Sequence, residues 1–211
     1  MIDFIIVSPK RSVSVDEVGR LGGLQASALK RGRLFGQIAV HACLDHYLVA
    51  TQRNAPPVRM FNSIFGKPEI ESEELDCGFS YADNLAVFVI GGGQVGVDIQ
   101  YDNINWGTLD PNKGQADCRH KLWVAREAVA KFLSVGLNID LQKIDVPIIS
   151  DKEWHRAKVN VFPFQGRDIF LREIPITHRY KAVVVADAPK RVRRLFMQKG
   201  AQDIWATARW S

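Results

Sequence analysis

The stretch FVIGGGQVGVDIQ, residues 88–100, constrains the fold more than any other part of the chain. Two β-rich runs, NLAVFVI and VGVDIQ, stand on either side of its glycines. Gly91, Gly93 and Gly96 fit the dinucleotide-binding pattern G-x-G-x-x-G, but in that fold the last glycine opens a helix. The residues after Gly96 alternate between apolar and polar instead, as in a strand. The segment therefore predicts a β-hairpin with a glycine turn and argues against a dinucleotide-dependent oxidoreductase.

Asp98 lies in the middle of the second run, where a charged side chain is costly. In an extended segment, Val97 and Ile99 point to one face of the sheet, and Asp98 and Gln100 point to the other. A carboxylate in a buried strand needs an ion pair, hydrogen bonds or a metal ion. Two interpretations remain open at this point. Asp98 is either a structural residue at a sheet end that accepts bonds from backbone amides, or part of a functional site.

A second polar group lies on the helix predicted for residues 116–135. Trp123, Glu127 and Lys131 are spaced i, i+4 and i+8 and share one helix face. The structural interpretation is a surface ion pair between Glu127 and Lys131, with Trp123 anchored in the core. The functional interpretation sets Glu127 opposite Asp98. Two carboxylates then form a hard-oxygen site suited to Mg²⁺, which completes its coordination with water and phosphate oxygens.

The other periodic segments predict an α+β protein of two similar lobes. Strands are predicted over residues 4–7 and 180–188, a helix over residues 27–47, and a helix or strand over residues 190–199. In each half a helix precedes an aromatic-led strand, FSYADNLAVFVI in the first and HRYKAVVVADA in the second. We place the boundary between the lobes near residues 101–115.

The composition fits a soluble globular protein with anionic partners. Of the 211 residues, 46% are hydrophobic and 24% are charged, and the net charge is +5. No apolar run approaches the roughly 20 residues of a membrane span, and the first residues lack the pattern of a signal peptide, so we expect a cytoplasmic protein without a membrane partner. Cys43, Cys77 and Cys118 are far apart, which favours isolated buried thiols. The basic run KRVRR suggests nucleic-acid binding as an alternative function. No aromatic residues are interleaved with it, however, so no nucleic-acid partner is expected.

The order of several short motifs resembles that of the 4′-phosphopantetheinyl transferase superfamily. VGVDIQ matches the family hallmark G-[IV]-D, and WVAREAVAK, some two dozen residues later, is similar to W-x-x-K-E-[AS]-x-x-K. FGKPEI resembles the family's lysine–proline motif, and GFSYADN occupies the place of N-[IV]-S-H-S. RGRLFGQIAVHACL and YKAVVVADA resemble segments of the longer, surfactin-synthetase-activating type. The motif match runs from Arg31 to Lys131 and implies a monomer that is a pseudo-dimer of two α/β lobes.

The resemblance also implies an activity, a cofactor and partners. The family transfers the phosphopantetheine arm of coenzyme A to a serine of an acyl or peptidyl carrier protein with Mg²⁺, and releases 3′,5′-adenosine bisphosphate. It implies lobes at residues 1–105 and 106–211 with the active site between them. The implied roles are metal binding by Asp98, Gln100 and Glu127, catalysis by Glu127 as base and by Lys131 at the phosphate, and coenzyme A contacts by Arg31, Arg33, Lys67, Pro68, Ser80 and Tyr81.

Four positions depart from the family pattern. Tyr81 stands in place of the motif histidine, Gln100 in place of a second acid, Arg126 in place of a lysine, and Val124 in place of a small hydroxyl residue. Tyr81 removes a possible cation near the 3′-phosphate, and Gln100 removes a negative charge, whereas Arg126 keeps its charge. The alternative interpretation is therefore a non-catalytic descendant that binds coenzyme A or a carrier protein without transferring the arm.

Overall fold

A computed structural model of the chain describes residues 1–7, 60–62, 67–72, 74–83, 85–101, 113–136, 138–177 and 179–197. Within these residues the protein is α+β, as predicted, and is mostly strand. The strands are β1 (Ile2–Val7), β2 (Met60–Asn62), β3 (Pro68–Ile70), β4 (Leu75–Ala82), β5 (Leu85–Gly92), β6 (Val95–Tyr101), β7 (His155–Lys158), β8 (Asp168–Glu173), β9 (Tyr180–Ala186) and β10 (Val192–Met197). The helices are α1 (Lys113–Phe132) and a 3₁₀ helix (Leu141–Lys143). The helix predicted for residues 27–47, with Arg31, Arg33 and Cys43, lies outside the described residues.

The first large sheet has the strand order β10-β1-β5-β4. β1 and β10 run parallel, and the other neighbours are antiparallel. β1 and β5 are almost entirely apolar because both of their faces are buried. Asp3 is the exception in β1: it is 2% exposed and accepts two bonds, at 2.7 and 2.6 Å, from Arg193 directly opposite on β10. The basic run at residues 190–194 therefore enters a strand and contributes an internal ion pair.

The second large sheet is antiparallel throughout, with the order β6-β9-β8-β7. One of its faces packs against the first sheet, where Val97 and Ile99 of β6 meet Phe4 of β1 and Val89 of β5. The other face is covered by α1. Strand alternation therefore points every second residue of β6 toward the helix, and Asp98 is among these residues.

The hairpin predicted for residues 84–100 is wrong. β5 and β6 both exist, but β5 pairs with β1 and β4, whereas β6 pairs with β9. The glycine segment thus carries the chain from one sheet to the other, and Gly93, with a φ of 77°, adopts a left-handed conformation at the crossing. Val95 donates its backbone N–H to Asp76 Oδ2 at 2.9 Å at the start of β6. Apolar residues of β5 and of β6 face each other in the core between the two sheets. Two strands paired side by side in one sheet would not enclose such a core.

Gly96 fixes the distance between β6 and α1. A Cβ atom at this position would lie 2.6 Å from both the Ala128 carbonyl oxygen and the Phe132 nitrogen. The backbone of the helix therefore rests directly on the strand, without an intervening side chain. This close contact brings the residues of β6 that follow Gly96 within reach of side chains on the last turns of α1.

Both sheets take strands from the two sides of the predicted boundary. β6 joins β9, and β10 joins β1, so the hydrogen bonding does not divide between residues 101 and 115. Cys77 is a buried thiol, as predicted, and burial is the main cause that raises its pKa to about 12. Among the described residues, none of the helices has the length and apolar character needed to cross a membrane.

Candidate active site

Five polar side chains from three elements meet between β6 and α1. β6 supplies Asp98 and Gln100, which are two residues apart and therefore leave the same face of the strand. α1 supplies Glu127 and Lys131, which are one helical turn apart. β4 supplies Ser80, which is 4% exposed. The structure therefore brings together five of the residues that the sequence singled out.

Asp98 is at the centre of this cluster, and its side chain is 1% exposed. Its Oδ1 atom accepts a bond from Lys131 Nζ at 2.6 Å and another from Ser80 Oγ at 2.7 Å. Lys131 Nζ also donates to Ser80 Oγ at 2.8 Å, so the three groups form a closed triangle. These donors are side chains. The alternative of a structural aspartate held by backbone amides does not agree with this arrangement.

Gln100 links the two carboxylates. Its amide nitrogen donates to Glu127 Oε2 at 2.8 Å and lies 3.2 Å from Asp98 Oδ2. Both oxygens are therefore within hydrogen-bonding distance of one nitrogen atom. The neutral amide satisfies both carboxylates without adding a charge to the site.

Glu127 is the perturbed acid of the site. Burial, followed by the charge and hydrogen bonding of Asp98, raises the pKa of Glu127 to about 7, while Lys131 and Gln100 act in the opposite direction. The alternative interpretation, a surface ion pair between Glu127 and Lys131, is wrong, because the lysine pairs with Asp98. Trp123 is 45% exposed, so its predicted role as a core anchor is wrong as well. It lies on the polar face of α1 that carries Glu127, while the core contacts come from residues such as Val124 and Ala128.

The cluster fits a magnesium ion only as a two-carboxylate site. Among the described residues, no group of three or more His, Cys, Asp or Glu side chains could hold a metal. Asp98 and Glu127 form a pair, and Mg²⁺ commonly takes one or two carboxylates together with water and phosphate oxygens. Gln100 could turn its amide oxygen toward such an ion. The donor set therefore suits a metal ion that arrives with a phosphate ligand.

Lys67 lies apart from this cluster. It is 9% exposed, and its ammonium pairs with Asp76 at 2.7 Å and lies 3.3 Å from the Val95 carbonyl oxygen. Val95 precedes Asp98 by three residues, which is about 10 Å along a strand. The open pocket beside Lys67, of about 310 Å³, is also lined by Glu69 and Glu74, which do not favour phosphate. A phosphate contact by Lys67 stays a prediction.

The remaining predicted coenzyme A contacts are not joined to the cluster by any described bond. Tyr81 follows Ser80 in β4, so its side chain leaves the opposite face of the strand, and it is 36% exposed. Pro68 begins β3, where it pairs with Asn62. Arg31 and Arg33 lie outside the residues that the structure describes.

Two positioning residues were missed at the level of sequence. Asp76 accepts bonds from Val95 and Lys67 and so fixes the start of β6. Gln94 donates to the Phe132 carbonyl at the end of α1 and accepts from Arg167, whose guanidinium carbon lies 4.9 Å from the centre of the Phe132 ring. Neither residue belongs to a motif or a periodic pattern, since each acts through partners that only the tertiary fold brings near.

Comparison with known proteins adds no relative. No protein-family model matches the chain, and the curated proteins contain no significant match to it.

Proposed function

We propose that this protein transfers the 4′-phosphopantetheine arm of coenzyme A to a serine of an apo acyl or peptidyl carrier protein. The supporting observation is that Ser80, Asp98 and Lys131, which come from three separate motifs of the resemblance, form one triangle of bonds of 2.6–2.8 Å. Glu127, from the same motif as Lys131, is connected to it through Gln100. Random coincidence of weak motifs would not be expected to bring these side chains to one point.

The proposed metal carboxylates are Asp98 and Glu127, with Gln100 as a neutral ligand or as a partner of a bound water. Mg²⁺, when bound, supplies positive charge beside the pyrophosphate of coenzyme A. Glu127 is the proposed base. Without metal, burial and Asp98 raise the pKa of Glu127 to about 7; a bound Mg²⁺ would lower it again, so that the carboxylate would be ionised and able to accept the serine proton near neutral pH.

The reaction then forms a phosphoester bond to the serine and breaks the phosphoanhydride bond of the coenzyme A pyrophosphate. The carrier serine oxygen attacks the phosphorus that bears the pantetheine arm, its proton passes to Glu127, and the bond to the bridging pyrophosphate oxygen breaks. The departing oxygen leaves with its electron pair as part of 3′,5′-adenosine bisphosphate. Lys131 stabilises the negative charge on the phosphoryl group, which is the main contribution that a protein makes to this class of reaction.

The finer parts of the proposal follow the family resemblance. Arg31, Arg33, Lys67, Pro68 and Tyr81 would contact coenzyme A, and Ser80 would do so through its backbone or hydroxyl. The chain would act as a cytoplasmic monomer with a pseudo-dimeric architecture, in which the two lobes meet near residue 105 in sequence and exchange strands between their sheets. Its partners would be coenzyme A and a carrier protein, with neither nucleic acid nor membrane among them.

Mass spectrometry of a panel of apo carrier proteins tests the activity. Each carrier is incubated with the protein, coenzyme A and Mg²⁺, and at least one should gain the mass of a phosphopantetheine arm. A transferase of known activity serves as the positive control, and Glu127→Gln as the negative control. No gain on any carrier that the control enzyme modifies would count against transfer.

A non-catalytic coenzyme A- or carrier-binding protein is the second candidate. Gln100 and Tyr81 favour it, because both replace groups that carry charge in the family. Calorimetric titration of coenzyme A with and without Mg²⁺ separates the two functions. A transferase should bind coenzyme A more tightly with the metal present, whereas a binder that relies on basic contacts alone should show no such dependence.

A further inference from the structure

The cluster already contains a cation of its own. Asp98 Oδ1 accepts bonds from Lys131 Nζ and Ser80 Oγ, and Asp98 Oδ2 faces the Gln100 amide at 3.2 Å. Because the Asp98 side chain is 1% exposed, solvent contributes almost nothing to its stabilisation. Both oxygens of the carboxylate are therefore engaged by donors that belong to the protein itself.

We propose that Lys131 is the resident counter-ion of Asp98 and has to move away from this carboxylate before a divalent cation binds between Asp98 and Glu127. This inference rests on the proposed function, since it takes Asp98 and Glu127 as the metal carboxylates. An ammonium group and a divalent cation on the same carboxylate repel each other strongly in a site that is shielded from water. Lys131 and the metal are therefore competitors for Asp98.

The position of Lys131 suits such an exchange. It is the penultimate residue of α1, and its side chain is 35% exposed, in contrast to that of Asp98. A lysine carries its charge on a flexible four-carbon stem, so the ammonium can move toward solvent or a bound phosphate while the helix stays in place. Ser80 would remain on Asp98 as a neutral donor.

Coupling between metal and diphosphate follows from this competition. Anionic phosphate oxygens give the displaced ammonium a new partner, which lowers the free energy needed to move it from Asp98. Because binding linkage is reciprocal, the metal then favours the diphosphate to the same extent. Without a phosphate ligand, the metal should bind weakly.

Calorimetric titration of Mg²⁺ alone into the substrate-free protein tests the competition. The titrations are run at pH 8. Lys131→Met should bind Mg²⁺ at least about tenfold more tightly than the parent, because a like charge a few ångströms from the ion is removed. Lys131→Arg keeps the charge and should bind no more tightly than the parent. Lys121→Met is the matched control, because Lys121 lies on the same helix but pairs with Glu173, at 3.0 Å. This variant should bind Mg²⁺ with the same affinity as the parent.

A second measurement on the parent protein covers the case in which Lys131→Met does not fold. Reductive methylation followed by peptide mass spectrometry reports the reactivity of Lys131 and Lys121 in one sample. Mg²⁺, at concentrations that saturate the calorimetric signal, should raise the rate at Lys131 and leave Lys121 unchanged.

Two results would overturn the inference: equal or weaker Mg²⁺ binding by folded Lys131→Met, or an unchanged methylation rate at Lys131. Neither measurement uses coenzyme A or a carrier. Failure of the transfer assay would therefore count against the proposed function alone, and tighter Mg²⁺ binding by Lys131→Met would still establish the competition.

Discussion

Replacing Gly96 by alanine should destabilise the protein and disturb the site at the same time. The added Cβ would lie 2.6 Å from the Ala128 oxygen and the Phe132 nitrogen, and 2.7 Å from the Phe132 Cα. All three are backbone atoms of α1, so no side-chain rotation relieves the contact. Gly96 has no left-handed φ, and the expected effect is therefore steric alone.

The magnitude follows from the size of the overlap. An ordinary Cβ contact begins near 3.4 Å, so the end of α1 must move by roughly 0.8 Å or the strand must bend away. Overpacking of this kind costs about 1–3 kcal/mol, and the upper end applies because backbone atoms are struck. For a chain of this size that corresponds to a fall in Tm of about 6–12 °C.

Urea and thermal unfolding by circular dichroism measure this cost. Gly78→Ala is the matched control, because its Cβ would meet the Val89 side chain at 3.4 Å and the Gly96 Cα at 3.6 Å, which are ordinary contacts. We expect Gly78→Ala to stay close to the parent. If Gly96→Ala unfolded at the same urea concentration as the parent and the control, the close packing of α1 on β6 would be refuted.

Four further predictions follow from the same contacts. Glu127→Gln removes the proposed base and one proposed metal carboxylate together, so turnover on a carrier should fall at least ~100-fold, and near-parental turnover would refute the assignment. Without metal, the raised pKa of Glu127 means that between pH 4.5 and about 7 the folded state holds a proton that the unfolded state has lost. The stability of the parent relative to Glu127→Gln should therefore be highest below pH 4.5 and decrease as the pH rises to about 7. Urea unfolding of both proteins at several pH values measures this difference. Gln100→Glu adds a negative charge beside both carboxylates, so the Mg²⁺ concentration for half-maximal activity should fall, whereas exposed Gln142→Glu should not change it. Arg193→Met removes the guanidinium that pairs with the buried Asp3 carboxylate and should lower the free energy of unfolding by up to about 3 kcal/mol, part of which Asp3→Asn in the same chain should restore.

The elements could be predicted from local patterns, but their pairing could not. β1, β5, β6, β9 and α1 lie close to the predicted positions because each is a continuous apolar run, an alternating strand or a segment with helical spacing. The alternation of β6 is the same whether it pairs with β5 in a hairpin or with β9 in another sheet. The two arrangements differ only in contacts between residues far apart in sequence, such as Asp98 with Val183, and no local signal reports those.

The site shows the same limit on a smaller scale. Helical and strand periods place Glu127 with Lys131 and Asp98 with Gln100, and these shared faces are confirmed. Local spacing allowed an ion pair between Glu127 and Lys131, whereas the observed pair is Lys131 with Asp98. This pair depends on the close approach of α1 to β6 at Gly96, which no local pattern reports. The exposure of Trp123 could have been predicted: a residue on the polar face of a helix cannot at the same time anchor its apolar face.

The energetics of the cluster favour a functional role over a structural one. A buried ion pair such as Asp98–Lys131 is weak support for stability, since well-packed apolar residues often do as well or better. The second carboxylate makes the arrangement less favourable still: Glu127 lies close enough to Asp98 for its pKa to rise to about 7, so near neutral pH the fold has to hold like charges together. Gln100 offsets this only with a neutral donor. The other contacts between this strand and this helix are apolar. A polar cluster that lowers stability at such a place is typical of a binding site, where a ligand supplies the missing positive charge. Two carboxylates with one amide between them and a lysine on only one of them are short of positive charge, and a divalent cation that arrives with a phosphate ligand would match this deficit.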